Sequence, residues 1–245
     1  MTRKRLDVVL AETHAVASRH QAQQAIASGM VLINGVPALK PSQMVEDGDE
    51  VAVETEPWVS RGAHKLLGAL DDSGLSVPER CLDAGASTGG FTQVLLSRGA
   101  TRVFAVDVGH GQMAPQVAVD PRVTPLEGVN IKDLRLPDLD DEPVGLAVAD
   151  LSFISLTAVL PALLPLIEPS GHALLLVKPQ FEVGRAGLPS SGVVRDDERR
   201  RAAVDNVAAA ASALGWCERW RGPSRLPGAH GNVEYFLLLR RLSPG

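Results

Sequence analysis

From residue 60 onward, apolar runs alternate with stretches of helical periodicity. Runs rich in Val, Leu and Ala read as strands at 80–84, 102–107, 122–126, 145–150, 172–178, 216–221 and 234–241. Apolar positions three and four apart place helices near 62–73, 89–98, 154–167 and 196–214. Strand and helix in turn predict an α/β fold, a mostly parallel sheet covered on both faces. Ligands then sit beyond the carboxyl ends of the strands. The last two strands are joined by Gly222 to Val233, with no helix-length insert, so that pair is expected to be antiparallel.

Residues 1 to about 55 follow a different pattern. Leu6, Val9 and Leu10 lie at helical spacing, and Ser18 can cap a second helix that runs to Ser28 and stops at Gly29. Val31–Ile33 reads as a strand, Asn34-Gly35 as a turn, and Val36-Pro37 as the return. A further turn at Glu46-Asp47-Gly48-Asp49 leads into Val51-Ala52-Val53. The expectation is a small α+β module over 1–55, a linker over 56–60 and a larger domain over 61–245. Glu54 to Val59 carries the linker character, with Pro57 to stiffen it and Trp58 to dock it.

Composition narrows the partners. A net charge of −5 over 245 residues argues against nucleic-acid binding through bulk positive charge, so any such binding needs local clusters. Two cysteines are too few for a disulfide framework or a cysteine zinc site, and Cys81 reads as a small core residue. The six histidines, His110 among them, show no metal-ligand spacing, so no metal is expected. Thr2-Arg3-Lys4-Arg5 is not followed by the apolar run of a signal peptide. Leu151 to Ile167 is 17 uncharged residues interrupted by Pro161 and Pro165. It reads as a buried helix beside the sheet rather than a membrane span. A soluble, cytoplasmic protein is expected.

The strongest chemical signal is Asp83-Ala84-Gly85-Ala86-Ser87-Thr88-Gly89-Gly90-Phe91-Thr92, which follows an apolar strand and opens a helix. Small residues let backbone approach a ligand, and amides at a helix N-terminus can hold a carboxylate or phosphate. The next strand ends in Asp107, 24 positions after Asp83, where an acid suits both hydroxyls of a ribose. The spacing differs from G-x-G-x-x-G and indicates an adenosine-containing cofactor. Four ionisable residues fall where this architecture would gather them: Lys65 on the helix before the first strand, Asp150, Lys178 and Glu234 at strand ends. A lysine desolvated there and pressed by a second lysine can fall from about 10.4 toward neutrality and take a proton from a weak acid. The alternative is two solvated ion pairs at loop edges; spacing alone does not decide.

Five segments occur in order: Ser60-Arg61-Gly62-Ala63-His64-Lys65-Leu66, Asp83 to Phe91, Asp150-Leu151-Ser152-Phe153-Ile154-Ser155-Leu156, Lys178-Pro179-Gln180-Phe181-Glu182 and Gly231-Asn232-Val233-Glu234-Tyr235. Through them nearly the whole chain resembles the TlyA family of ribosomal-RNA 2′-O-methyltransferases, also called haemolysin A. The resemblance implies an FtsJ-like, Rossmann-like methyltransferase domain that uses S-adenosylmethionine. It puts a catalytic tetrad on Lys65, Asp150, Lys178 and Glu234. The expected cofactor contacts are Asp83, Gly85, Ala86, Ser87, Thr88, Gly89, Asp107, Val108, Asn130 and Asp150. In-line methyl transfer needs alignment and the removal of one proton, a task given to Lys178. Lys65 would contact the substrate, and Asp150 and Glu234 would fix the ammonium groups.

Residues 5 to about 53 resemble the RNA-binding module of ribosomal protein S-four, through Arg5, Arg19, Gln23 and the Val31–Gly35 turn. Residues 1–60 nevertheless carry five Lys/Arg against eight Asp/Glu. RNA contact is therefore expected on one local face made by Arg3, Lys4, Arg5 and Arg19, with Lys40 at its margin, and at Arg61 beside the tetrad segment. Arg199, Arg200 and Arg201 read as a solvated helix face partnered by Asp196, Asp197 and Glu198, with Arg195 a further phosphate candidate. Trp58 and Phe153 could stack on bases but read better as packing residues. Two other functions are weighed: a membrane-active cytolysin, for which Leu151–Ile167 is a poor segment, and a non-catalytic rRNA-binding assembly factor, against which the intact tetrad speaks. No pattern indicates an oligomeric state.

Overall fold

The computed structural model describes residues 3–13, 15–16, 18–27, 31–38, 40–53, 57–184, 192–228 and 231–242. The chain divides into two units, Met1–Pro57 and Trp58–Gly245. In the first, helices α1 (Leu6–Glu12) and α2 (Arg19–Ala27) pack on two small antiparallel sheets. One pairs β1 (Lys4–Arg5) with β4 (Met44–Val45); the other runs β3 (Val36–Pro37), β2 (Val31–Ile33), β5 (Val51–Val53). Leu6, Leu10, Ile26, Val31 and Val45 form its core. Asn34 and Gly35 both take left-handed backbone (φ 51° and 77°), which matches the twist of a tight hairpin. Ser18 Oγ accepts the Gln21 N–H, the cap expected for α2. Ser28 and Gly29, expected to end that helix, lie outside the described residues, as do Glu54 to Glu56 of the linker.

The second unit is a seven-stranded sheet in the order β11-β12-β10-β9-β6-β7-β8. Its strands are β6 (Arg80–Ala84), β7 (Arg102–Asp107), β8 (Val123–Glu127), β9 (Val144–Ala149), β10 (Ile167–Val177), β11 (Trp216–Pro223) and β12 (Tyr235–Arg241). β10, β9, β6, β7 and β8 run parallel, and β12 lies antiparallel between β10 and β11. Alternate residues of each strand serve opposite layers, as the period of two requires. Leu82, Phe104, Ala147, Leu175 and Leu237 face a core that includes helix α8 (Asp197–Ala213). Cys81, Val103, Leu146, Leu174 and Phe236 face helices α3 (Gly62–Ser73) and α4 (Gly90–Ser97). Trp58 packs on this second cluster, and the Val59 N–H donates to Gln93 Oε1 (2.7 Å). Thus Trp58 and Val59, read from sequence as linker, join the larger unit. The strand order reverses between β9 and β6, and a crevice opens at their carboxyl ends.

One element departs from expectation. The continuous helix over 154–167 is instead an extended loop, a 3₁₀ turn (Leu156–Ala158), helix α6 (Leu160–Leu163) and another 3₁₀ turn (Leu164–Leu166). Pro161 and Pro165 each sit in the first turn of a helical piece, where a missing N–H is tolerated, and neither can lie within one long helix. The segment is still buried through Leu156, Leu160, Leu163 and Leu166. β10 also begins five residues earlier than the 172–178 expectation, with a register shift between Ile167 and His172.

Candidate active site

The loop after β6 is shaped by backbone that few side chains tolerate. Gly85, Ser87 and Gly89 have φ of 85°, 46° and 94°. A Cβ on Gly85 would lie 2.5 Å from the Asp150 carbonyl oxygen, so only glycine lets the loop pack against the end of β9. The Gly85 and Ala86 N–H groups both donate to the Val106 carbonyl (2.8 and 3.1 Å). Gly89 precedes α4 and offers no side-chain cap, which leaves the helix N-terminus to backbone amides. Asp107, at the tip of β7, accepts the Ser87 N–H on Oδ2 (2.9 Å) and the Gly109 N–H on Oδ1 (2.8 Å). One carboxylate thereby fastens two loops.

Two cavities open on either side of this loop. The first, about 670 Å³, is lined by Ser60, Arg61, Lys65, Ala86, Thr88, Phe91 and Gly228 among others. The second, about 390 Å³, is lined by Asp107, Val108, Gln112, Asn130, Ile131, Ser152 and Phe153 among others. Gly85, Ser87 and Asp150 line both, so the cavities meet at the end of β9. Asp83 and Gly89, expected among the cofactor contacts, line neither. Asp83 is fully buried beneath the loop; Thr92 Oγ1 donates to its Oδ2 (2.7 Å), and Oδ1 has no partner among the described residues. Burial, reinforced by Asp150 and Asp107, pushes its carboxyl up to about 7. Gly89 packs against the Val117 side chain.

The four tetrad residues form two ion pairs. Lys65 Nζ lies 2.7 Å from Glu234 Oε2, and Lys178 Nζ lies 2.6 Å from Asp150 Oδ1. They are not solvated loop-edge pairs: the side chains are 12% and 2% exposed in the first, 11% and 23% in the second. Glu234 is boxed in by backbone, because a Cβ on Gly228 would come within 2.0 Å of its Oε1. The Lys178 ammonium also donates to Ser152 Oγ (2.8 Å) and lies 5.9 Å from the centre of the Phe181 ring. Phe153 is no core residue. It is 92% exposed, has φ of 66°, and its ring lies 5.3 Å from that of Phe181. Glu182 accepts from Ser155 Oγ (2.6 Å) and the Leu156 N–H (2.7 Å), and burial raises its carboxyl above the ordinary value. In the sequence Ser152 and Glu182 stand out only as parts of longer motifs; the signal they carry is their closeness to Asp150 and Lys178 along the chain.

Four cations of the first unit, Arg3, Lys4, Arg5 and Arg19, are paired within it. Arg3 pairs with Glu46 (Nε 2.8 Å), Lys4 with Glu12 (2.6 Å), and Arg5 and Arg19 both with Asp7 (3.0 and 2.9 Å). Asp7 is fully buried and also accepts from Gln23 (3.3 Å). Arg5 first, then Arg19 and Gln23, hold its carboxyl well below the usual carboxylate range. The expected basic face is therefore a set of ion pairs whose guanidinium groups keep one side toward solvent. Arg61, in the second unit, lines the first cavity. Among the described residues no helix is long and apolar enough to cross a membrane, and no group of three or more His, Cys, Asp or Glu could hold a metal ion.

Residues 58–241 match the FtsJ-like methyltransferase family, and residues 4–51 match the S4 domain. The 16S/23S rRNA (cytidine-2′-O)-methyltransferase TlyA of Mycobacterium tuberculosis is 50% identical, over 97% of this chain and 90% of that protein. Hemolysin A of Brachyspira hyodysenteriae is 37% identical, over 94% of this chain and 97% of its own length. A solved protein from Streptococcus thermophilus that carries a hemolysin name superposes with a TM-score of 0.76 at 36% identity, over 99% of this chain and 90% of that one.

Proposed function

This chain belongs to the FtsJ-like methyltransferase family, and on that premise we propose that it methylates ribose 2′-hydroxyls of ribosomal RNA with S-adenosylmethionine as donor. The observation that carries the reading is the junction of two cavities at Gly85, Ser87 and Asp150, with the Lys178–Asp150 pair beside it. One cavity suits the cofactor and the other the target nucleotide. The donor, when bound, supplies a methyl group already activated on a cationic sulfur.

The residues present fit that group. The amides of Gly85, Ala86 and Ser87 are already spent on Val106 and Asp107, so the N-terminus of α4, which carries no side-chain cap, is what would present amides to a carboxylate. Asp107 keeps lone pairs beyond its two backbone bonds and would bind the ribose hydroxyls. Asn130 and Val108, in the same cavity, would border the base. Across the junction, Lys178 would orient the 2′-hydroxyl and, as the neutral amine, take its proton, with Asp150 holding the ammonium that forms. Lys65, fixed by Glu234, opens on the first cavity and would contact the target ribose or its phosphate. Positioning of this kind accounts for a large share of a bimolecular barrier.

Dependence on a 2′-hydroxyl restricts the substrate to RNA, and a target inside folded RNA must be splayed out to reach the crevice. The exposed Phe153 offers that nucleotide a face, and the S4 domain supports RNA as the partner. Lys178→Ala should abolish transfer while leaving cofactor affinity within about threefold, since the lysine serves the other reactant. Asp107→Ala should weaken cofactor binding first. Lost cofactor binding in Lys178→Ala, or unchanged binding in Asp107→Ala, would reject these roles. Calorimetric titration together with turnover separates the outcomes.

A further inference from the structure

Lys178 caps the N-terminus of helix α7 (Pro179–Glu182), and that helix grips the loop that follows β9. Phe181 meets Phe153 ring to ring at 5.3 Å, and Glu182 accepts from Ser155 Oγ and the Leu156 N–H. At the first of these attachments the chain accepts a left-handed conformation, at Phe153, a cost for any residue with a Cβ. What this fixes in place is Ser152. Its Oγ accepts the hydrogen bond of the Lys178 ammonium at 2.8 Å. The neighbouring Asp150 Oδ1, 2.6 Å away, meets the same ammonium as its counter-charge. Among the described residues the Lys178 ammonium thus meets two side chains from the β9 loop, the Asp150 carboxylate and the Ser152 hydroxyl.

We propose that Ser152 is a positioning residue for Lys178, held in register by the Glu182 carboxylate through Ser155 and Leu156. The proposal rests on the reading of Lys178 as the group that handles the ribose hydroxyl. A single partner leaves an ammonium free to turn about the line that joins them. A second hydrogen bond at a fixed point decides where the remaining N–H bond, or the lone pair of the neutral amine, is aimed. Ser152 is exposed, so the hydroxyl is not needed for core packing. Glu182 in turn is a buried anchor whose removal should act through the loop.

The test is steady-state methylation of unmodified ribosomal subunits by the full chain carrying Ser152→Ala, Ser152→Thr, Glu182→Ala or the Ser152→Ala/Glu182→Ala pair. Ser152→Ala should lower kcat by about tenfold, the worth of one hydrogen bond to a charged group, with both KM values within about twofold. Ser152→Thr, which keeps the oxygen, should restore most of kcat. The double variant should lose little more than the worse single one, because both changes act through one loop. Wild-type kcat in Ser152→Ala, no recovery in Ser152→Thr, or fully additive losses would overturn the proposal. Lys178→Ala run alongside keeps the two levels apart: full turnover in that variant would remove the reading beneath the proposal, whatever Ser152 does.

Discussion

The Lys65–Glu234 pair makes a quantitative prediction because its two ends are buried unequally. Glu234 is 2% exposed and lies against the backbone of Gly228, whereas Lys65 opens on a cavity of about 670 Å³. Lys65→Met keeps the stem and removes the charge, which leaves a carboxylate buried without a counter-charge. Breaking a buried pair in this way costs about 3–5 kcal/mol. Glu234→Gln keeps the volume and an acceptor oxygen, and the orphaned ammonium can be hydrated in the cavity. That change should cost only about 1–2 kcal/mol, close to one hydrogen bond. In the double variant no charge is left to compensate, so its cost should fall near that of Glu234→Gln alone. The implied coupling equals the Lys65→Met cost, about 3–5 kcal/mol, far above the 0–1 kcal/mol of an exposed pair. Urea denaturation followed by tryptophan emission isolates the relevant unit, since Trp58, Trp216 and Trp220 all lie within Trp58–Gly245. Equal costs for the two single variants, or costs that add in the double one, would refute the reasoning and mean that water reaches Glu234.

Two further predictions concern pH. The folded state raises the Asp83 carboxyl to about 7, chiefly by burial. An unfolded aspartate titrates near 3.9, so the folded protein binds this proton more tightly, and the residue's contribution must decline as pH rises from about 4 to 7. The stability difference between wild type and Asp83→Asn, read by tryptophan emission, should shift against wild type across that window; a level difference contradicts it. Asp7 behaves oppositely, because Arg5 foremost, with Arg19 and Gln23, depresses its carboxyl. Its contribution is present above about 4 and is lost as pH falls further through the folded value. The protection factors of the Val31–Ile33 amides, taken relative to intrinsic exchange at each pH, should therefore fall in acid in wild type, whereas Asp7→Asn should be less protected already at neutral pH and respond less to acid.

What could be read from the sequence was what depends on local pattern. β6 and β7 are short, mostly apolar runs ended by a glycine turn and an acid, and their observed bounds match those expected, as does α3. The division of the broken segment between Leu151 and Ile167 was not legible, because its apolar spacing is helical while Pro161 and Pro165 allow only single turns. The early start of β10 was hidden by Glu168, Pro169, Ser170 and Gly171, turn-type residues that here form an irregular strand. Charge partners were the least visible. Lys65 and Glu234 are 169 positions apart, and only the sheet order brings β12 and α3 into reach of each other. Likewise nothing local reveals that Asp7 takes up both Arg5 and Arg19, or that Asp83 lies under its loop instead of facing a ligand. Phe153 looks like a core aromatic until the strained turn that turns it outward is seen.

The central claim is tested most directly by transfer of labelled methyl from S-adenosylmethionine to purified, unmodified ribosomal subunits, with the modified nucleotide mapped. The account predicts a 2′-O-methylated ribose that is absent from the Lys178→Ala reaction and resistant to alkaline cleavage at its 3′ phosphate. Cofactor binding with no methyl on either subunit, or a label on a base rather than a ribose, would contradict it.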